Sequence, residues 1–400
     1  MITHKQYDIC IIGGCGHVGL PLGMAFADRG QRVVLYDINQ KAVDKINKKE
    51  MPFLEEGAPE ILAKVIERGM LVATTNISVI SQAPNLIVVI GTPVDRHLNP
   101  TLQDVMGVIQ QIGEYLRDDH LIIFRSTLYP GLTQKIYDHL KSLGKQIDVA
   151  FCPERIAEGY ALKELCTLPQ IVSGCNTRSS KRVKELFTIL AQDIIELSPI
   201  EAELAKLFSN SWRYINFAIS NQFFMIACSY GLDFYNIYSA MVQDYPRLQG
   251  FAKAGFAAGP CLLKDTMQLS AFTNNSFFMG HSAMLINEGL PNFIVEQLKL
   301  KLSLKEKTVG ILGMAFKANN DDPRESLSYK LRKILELEAK QVLCSDIYIS
   351  EPGFIKAEEL IEHADIIILA TPHRDYKSLD FKNKTVIDIW DFFEKGGKIL

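Results

Sequence analysis

The residue with the most chemistry to offer is Cys261, in the segment Ala254-Gly255-Phe256-Ala257-Ala258-Gly259-Pro260-Cys261-Leu262-Leu263-Lys264-Asp265-Thr266. Small residues ahead of the thiol let another molecule come close to the backbone. Lys264 and Asp265 put a cation and a carboxylate within a few residues of a potential thiolate. Taken alone, such a cysteine reads as a buried residue in a glycine-rich turn, because cysteine is among the most buried residue types. A second constellation changes that reading. Gly14, Gly16 and Gly19 form G-x-G-x-x-G between the apolar run Tyr7 to Ile12 and the helix-compatible Leu20 to Ala27, and Asp37 ends the next apolar run, eighteen positions beyond Gly19. In that context the glycine pattern binds a dinucleotide. Gly14 permits the tight turn, Gly16 with His17 and Val18 lets a pyrophosphate reach the loop backbone, and Gly19 allows helix to pack on strand. Asp37 would accept hydrogen bonds from the adenosine ribose and repel a 2′-phosphate, so NAD is expected rather than NADP. A thiol working with a nicotinamide points to oxidation through a covalent intermediate.

The elements that must position these groups follow from apolar periodicity. Leu86 to Ile90, ending in Gly91-Thr92-Pro93, and Leu121 to Arg125, ending in Ser126-Thr127, read as buried parallel strands that stop at small polar residues. Ligands of open parallel sheets sit beyond the carboxyl ends of the strands, so Thr92, Pro93, Ser126 and Thr127 should line the cofactor cleft. Val149 to Glu154 and Gln170 to Gly174 extend the sheet and carry the first domain to about residue 197. Ser198-Pro199-Ile200-Glu201 supplies an N-cap, a proline at the first helical position and a glutamate at the third, so a long helix should start there and continue to Gly231, with Lys206 and Asn210 on one face. A second helical stretch is expected from Asp265 towards Leu302. After Lys307 the strand–helix pattern returns, with strands at Val309 to Gly313, Ile366 to Pro372 and Val386 to Ile389 and a helix through Leu327 to Leu337. Gly91-Thr92-Pro93 and Ala370-Thr371-Pro372 look like a degenerate internal duplication. The expected fold is α/β: two Rossmann-like doubly wound domains, residues 1–197 and 304–400, joined by a central helical domain, 198–303, with a long connecting helix and the cysteine loop.

Composition narrows the class. Four hundred residues, 48% hydrophobic and 22% charged, suffice for two or three domains with separate cores. A net charge of −3 without a strongly basic window gives no nucleic-acid or membrane surface. An anionic ligand would therefore be held by a few local cations. Met1 leads almost directly into an apolar strand and no apolar run reaches membrane-spanning length, so a cytoplasmic protein is expected. Eight cysteines without a CxxC pair or zinc spacing argue against disulfides and structural metal.

Several further motifs follow in order: Ser126-Thr-Leu-Tyr-Pro-Gly131, Pro153-Glu-Arg-Ile-Ala-Glu-Gly159, Lys206 with Asn210, Cys261-Leu-Leu-Lys-Asp265, and Phe316-Lys317 with Asp321-Asp-Pro-Arg-Glu-Ser326. With the glycine fingerprint and Gly-Thr-Pro, the chain resembles the UDP-glucose/GDP-mannose dehydrogenase family over nearly its whole length. The resemblance implies oxidation of a nucleotide-sugar C6 alcohol to a carboxylate with two NAD+, through a cysteine-bound thiohemiacetal and thioester. It casts Cys261 as nucleophile, Asp265 and Thr127 as holders of a proton-accepting water, Glu158 as base for thioester hydrolysis, and Lys206 and Asn210 as partners of the substrate oxygen. Glu154, Glu158, Lys206, Asn210, Arg247, Phe256, Gly259, Phe316 and Lys317 match positions contacting the nucleotide-sugar, and Lys264 and Arg324 match cofactor contacts. A homodimer through the long helix, with Arg247 reaching the neighbour's site, and a place in surface polysaccharide precursor synthesis are implied in the same way.

UDP-glucose is the first substrate expected, yet the sugar pocket departs from the UDP-glucose pattern. Glu154-Arg155-Ile156-Ala157-Glu158 keeps both acids of Glu-Phe-Leu-Arg-Glu but not its aromatic or its arginine. Pro260 precedes the cysteine where a small residue such as serine is usual, Ala258 replaces a common glycine, and Asp388-Ile389-Trp390-Asp391 offers no arginine. A 2-acetamido sugar, as in UDP-GlcNAc or UDP-ManNAc 6-dehydrogenases, is the alternative. More distant readings are a single-step 3-hydroxy acid dehydrogenase, which would not need Cys261 or a second α/β domain, and a non-catalytic NAD-binding protein, which would not need the full set of catalytic positions.

Overall fold

The computed structural model describes residues 6–91, 102–257, 259–397 and 399. The chain divides into two compact units, Met1–Phe208 and Ser209–Leu400. The first is built on β1 (Ile9–Ile12), β2 (Val33–Tyr36), β3 (Leu71–Thr74), β4 (Asn85–Val88), β5 (Leu121–Phe124), β6 (Asp148–Phe151), β7 (Gln170–Gly174) and β8 (Ile194–Glu196). They form one sheet in the order β3-β2-β1-β4-β5-β6-β7-β8. Every pairing is parallel except β6 with β7. Alternate residues of a strand point to opposite faces, and the core splits accordingly. Ile9, Ile11, Leu35, Ile87 and Ile123 enter one apolar layer, while Cys10, Ile12, Val34, Leu86 and Ile122 enter the other. The order reverses between β1 and β4, which is where an open doubly wound sheet leaves a crevice beyond its strand ends.

The helix Pro199–Ser229 begins where the sequence predicts: the Ser198 N–H and hydroxyl both donate to Glu201 Oε2, at 2.9 and 2.6 Å. The continuous helix expected after Cys261 is instead two, Leu262–Phe272 and Phe278–Lys301. The break falls at Asn274 and Asn275, with φ of 51° and 61°, and the Asn275 N–H folds back to Ser270 O at 2.8 Å. Asparagine adopts this left-handed conformation more readily than most residues, and the apolar pattern on either side masked it.

The second unit contains β9 (Thr308–Leu312), β10 (Gln341–Ser345), β11 (Ile366–Leu369) and β12 (Thr385–Asp388), all parallel, in the order β10-β9-β11-β12. This matches the β2-β1-β4-β5 portion of the first sheet, and the loops match too. Gly13 N–H donates to Tyr36 O and Gly313 N–H to Ser345 O, each at 2.9 Å. The acid after β2, Asp37, accepts the Cys15 N–H at 2.9 Å, and the acid after β10, Asp346, accepts those of Met314 and Ala315 at 2.6 and 3.0 Å. Asp346 is also held by His373 Nε2 at 3.0 Å, and both side chains are buried. Among the described residues no helix is long and apolar enough to cross a membrane.

Candidate active site

The glycine loop shows where a ligand can approach. A Cβ at Gly14 would meet Ile11 O and Leu35 Cβ at 2.8 Å, and one at Gly19 would meet Gly14 Cα at 2.7 Å, so these two serve packing. Gly16 is exposed, with nothing within 4 Å on its Cβ side. His17 and Val18 follow it, and Val18 caps the helix Gly19–Asp28 without a side-chain hydrogen bond; Leu20 N–H donates to Gly16 O at 3.0 Å and Pro21 has no N–H, so an anion would meet the loop backbone and Gly19 N–H. Asp37 uses one oxygen for Cys15 N–H and the other for Asn39 N–H, both at 2.9 Å, so acceptor capacity remains for ribose hydroxyls. These features fit a dinucleotide. Thr92 and Pro93 lie outside the described residues.

Beyond β5, Ser126 Oγ donates to Ile90 O at 2.7 Å and accepts the Ile90 N–H at 2.8 Å, which ties the ends of β4 and β5 together and leaves Thr127 buried beside them. Glu154 is buried too: Oε2 accepts from Arg125 Nε at 2.8 Å, and Oε1 accepts the N–H groups of Arg155 and Ile156 at 2.8 and 3.1 Å. Glu158, half-buried, follows on the turn that ends at Gly159. Sequence reasoning missed Glu203, one helical turn before the half-buried Lys206. Its fully buried carboxylate accepts from Gly131 N, Thr133 N and Thr133 Oγ1, at 2.5, 2.9 and 2.5 Å, and so fixes the start of the long helix to the end of the Ser126–Gly131 loop. Burial pushes the Glu203 carboxyl above the usual range, against the opposing pull of these donors. The available signal was its spacing: Glu203, Leu207 and Asn210 fall on one helical face.

In the second unit Cys261 is exposed and sits at the N-terminus of Leu262–Phe272, where a helix's partial positive charge faces an anion. Asp265, one turn on, is fully buried, with Oδ2 accepting from Asn210 Nδ2 at 2.6 Å and Oδ1 3.5 Å from Lys264 Nζ. Two predicted residues, Asn210 and Asp265, are thus brought together with a cation. Gly259 backs onto another: its Cβ would lie 2.6 Å from the Phe316 ring, and its φ is 107°. Phe256 is buried and Lys317 half-buried. Arg324 is exposed and grips Asp322, with Nε 2.9 and 2.8 Å from its two oxygens, while Arg247 is exposed over the Tyr245 ring at 5.5 Å. The cysteine loop has supports that no motif marked. Asn221 holds both backbone groups of Gly255, at 2.8 and 3.0 Å, and donates to Asn287 at 2.9 Å, all buried. Five other thiols suit nucleophilic attack poorly: burial pushes Cys15, Cys152 and Cys175 up to about 12 and Cys228 and Cys344 up to about 11.

Comparison with known proteins shows the family. Residues 7–191 match the NAD binding domain of the UDP-glucose/GDP-mannose dehydrogenase family, residues 200–288 its central domain and residues 310–395 its UDP binding domain. The chain is 31% identical to the UDP-N-acetyl-D-mannosamine dehydrogenase of Methanocaldococcus jannaschii, over 95% of this chain and 91% of that one. The chain belongs to the UDP-glucose/GDP-mannose dehydrogenase family. It is an NAD-dependent nucleotide-sugar dehydrogenase. The Methanococcus maripaludis UDP-N-acetyl-D-mannosamine dehydrogenase is 30% identical over 98% of this dehydrogenase and 96% of its own chain. The solved UDP-D-ManNAc dehydrogenase of Pyrococcus horikoshii superposes with a TM-score of 0.88 at 28% identity, covering 98% of this chain and 96% of that one.

Proposed function

We propose that the enzyme is a UDP-N-acetylhexosamine 6-dehydrogenase, with UDP-ManNAc the first substrate to test, oxidising the C6 hydroxymethyl to a carboxylate in two stages. The observation that carries this is the name that several relatives matched over nine-tenths or more of their length bear, UDP-N-acetyl-D-mannosamine dehydrogenase. It favours the acetamido sugar over the UDP-glucose that the motifs first suggest, in keeping with the departures around Glu154 to Glu158 and Pro260. Functionally we divide the chain into an NAD-binding part, 1–197, a central part with the cysteine, 198–303, and a UDP-sugar-binding part, 304–400.

Bound NAD supplies the hydride acceptor for both oxidations. Asp265 and Thr127 hold the water that takes the C6 hydroxyl proton. Lys206 and Asn210 donate to the C6 oxygen as negative charge gathers there. Cys261 thiolate adds to the aldehyde carbon, so the half-oxidised sugar stays attached, and after the second oxidation Glu158 takes a proton from the water that cleaves the thioester. Glu154, Arg247, Phe256, Gly259, Phe316 and Lys317 contact the UDP-sugar, and Lys264 and Arg324 the cofactor. The dehydrogenase works as a homodimer through the long helix, whose Phe208, Trp212, Ile219, Phe223 and Ile226 form an exposed apolar stripe.

The test is NADH released per sugar consumed, across UDP-ManNAc, UDP-GlcNAc, UDP-glucose and GDP-mannose, for wild type and Cys261→Ala. Two NADH with an acetamido sugar, lost in the variant, is expected. One NADH, or turnover indifferent to Cys261, rejects the thioester route, and a preference for UDP-glucose rejects the substrate.

A further inference from the structure

The segment between the helices Gln40–Asn47 and Ala58–Glu67 touches two loops of the first unit that the proposed reaction uses. At one end the Phe53 ring lies over His17 of the glycine loop, centroids 4.0 Å apart and planes 31° from parallel. Two residues on, Glu55 is buried, 8% exposed, and its carboxylate bridges two backbone donors: Oε2 accepts Gly159 N–H at 2.9 Å and Oε1 accepts Leu162 N–H at 3.4 Å. Glu56 N–H donates to Gly159 O at 3.2 Å, so both backbone groups of Gly159, whose φ is 85°, are held by this segment. On the far side of Glu158, Ala157 N–H donates to Glu164 Oε2 at 2.6 Å. The turn that carries Glu158 is therefore gripped on both flanks by carboxylates.

We propose that Glu55 is a positioning residue for thioester hydrolysis: it holds the Gly159 flank of the turn and so aims Glu158, while Phe53 links that grip to the glycine loop. This rests on the role proposed for Glu158. In the step concerned, the water oxygen bonds to the thioester carbonyl carbon as its proton passes to the Glu158 carboxylate. The C–S bond then breaks with its electron pair going to Cys261, which leaves as thiolate. No electron acceptor is involved. A carboxylate that holds the backbone on the Gly159 side of Glu158 should affect this step and spare the two hydride transfers before it.

The experiment is pre-steady-state turnover of the full-length enzyme with excess NAD and the sugar that wild type oxidises, following NADH and the intact mass of quenched protein. Glu55→Gln keeps size but turns an amide N–H2 towards one of two backbone donors. The expected result is a burst of two NADH per site at the wild-type rate, then steady-state turnover slowed roughly tenfold or more, with the thioester adduct accumulating on Cys261. Glu55→Asp, which keeps the charge but reaches less far, should lie between the two, and it carries the test if Glu55→Gln fails to fold. Unchanged steady-state turnover, or equal slowing of burst and steady state, overturns the role. A wild type that releases one NADH per sugar removes the hydrolytic step itself, and this role with it.

Discussion

Arg125 offers the sharpest test of how the Glu154–Glu158 loop is built. It follows β5 directly, and its guanidinium is fully buried. Nε donates to Glu154 Oε2 at 2.8 Å, Nη1 to Cys152 O at 3.3 Å and Nη2 to Gln170 Oε1 at 3.0 Å, and the group lies 4.9 Å from the centre of the Phe187 ring. Arg125→Met keeps the apolar contact with Phe187 but strands the buried Glu154 carboxylate with two backbone N–H groups. Breaking a buried pair from one side costs about 3–5 kcal/mol. At about 2–4 °C per kcal/mol for a unit of this size, the transition that includes the first unit should fall by roughly 6–20 °C in scanning calorimetry. Adding Glu154→Gln removes the stranded charge, so the double variant should recover about 1–3 kcal/mol relative to the sum of the singles. A fall below about 3 °C for Arg125→Met, or strictly additive single variants, would refute the reasoning, because the two groups would then act independently.

The glycine loop makes a paired prediction. Gly16→Val, placed in open space, should raise the NAD Michaelis constant roughly tenfold while leaving melting within about 2 °C, whereas Gly19→Ala, with its new Cβ 2.7 Å from Gly14 Cα, should cost about 1–3 kcal/mol of stability. Equal melting temperatures for the two variants would sink the distinction. His120 sets an acid limit. It is fully buried, its Nδ1 accepts the Arg117 N–H at 3.1 Å, and burial, then Arg117, lowers its pKa from 6.5 to about 4. The unfolded chain binds this proton more readily, so stability is present above pH 6.5 and drains away as pH falls towards about 4, by on the order of 3 kcal/mol in all. His120→Gln should flatten the melting temperature against pH across that window, and an unchanged slope would count against it.

Much of this was legible in the chain because the signals were local. The strand–glycine–helix–strand–acid pattern from Tyr7 to Asp37 needs no distant partner, and neither does the start at Ser198-Pro199-Ile200-Glu201. The strands β3, β8 and β10 went unread, since four, three and five residues at or near sheet edges carry too little periodicity. The site divides the same way. Cys261 and Asp265 announce themselves by spacing, whereas Glu203, Glu55 and Asn221 act on backbone groups dozens to more than a hundred residues away, and no local pattern encodes that. The break at Asn274-Asn275 was readable in principle, because two asparagines in a row favour a turn, but the apolar residues around them outweighed it.

The two matching sheets also bear on how many dinucleotides one chain can hold. Asp37 spends its oxygens on two backbone donors and keeps room for more. Asp346, its counterpart, takes Met314 N, Ala315 N and His373 Nε2 on one oxygen and Tyr348 N and Ile349 N on the other, five donors against about four lone-pair sites. An arriving ribose would find that carboxylate saturated. In the second sheet the acid serves as a structural rivet, so each chain should bind a single NAD, and the second sheet is left to hold its nucleotide by other contacts.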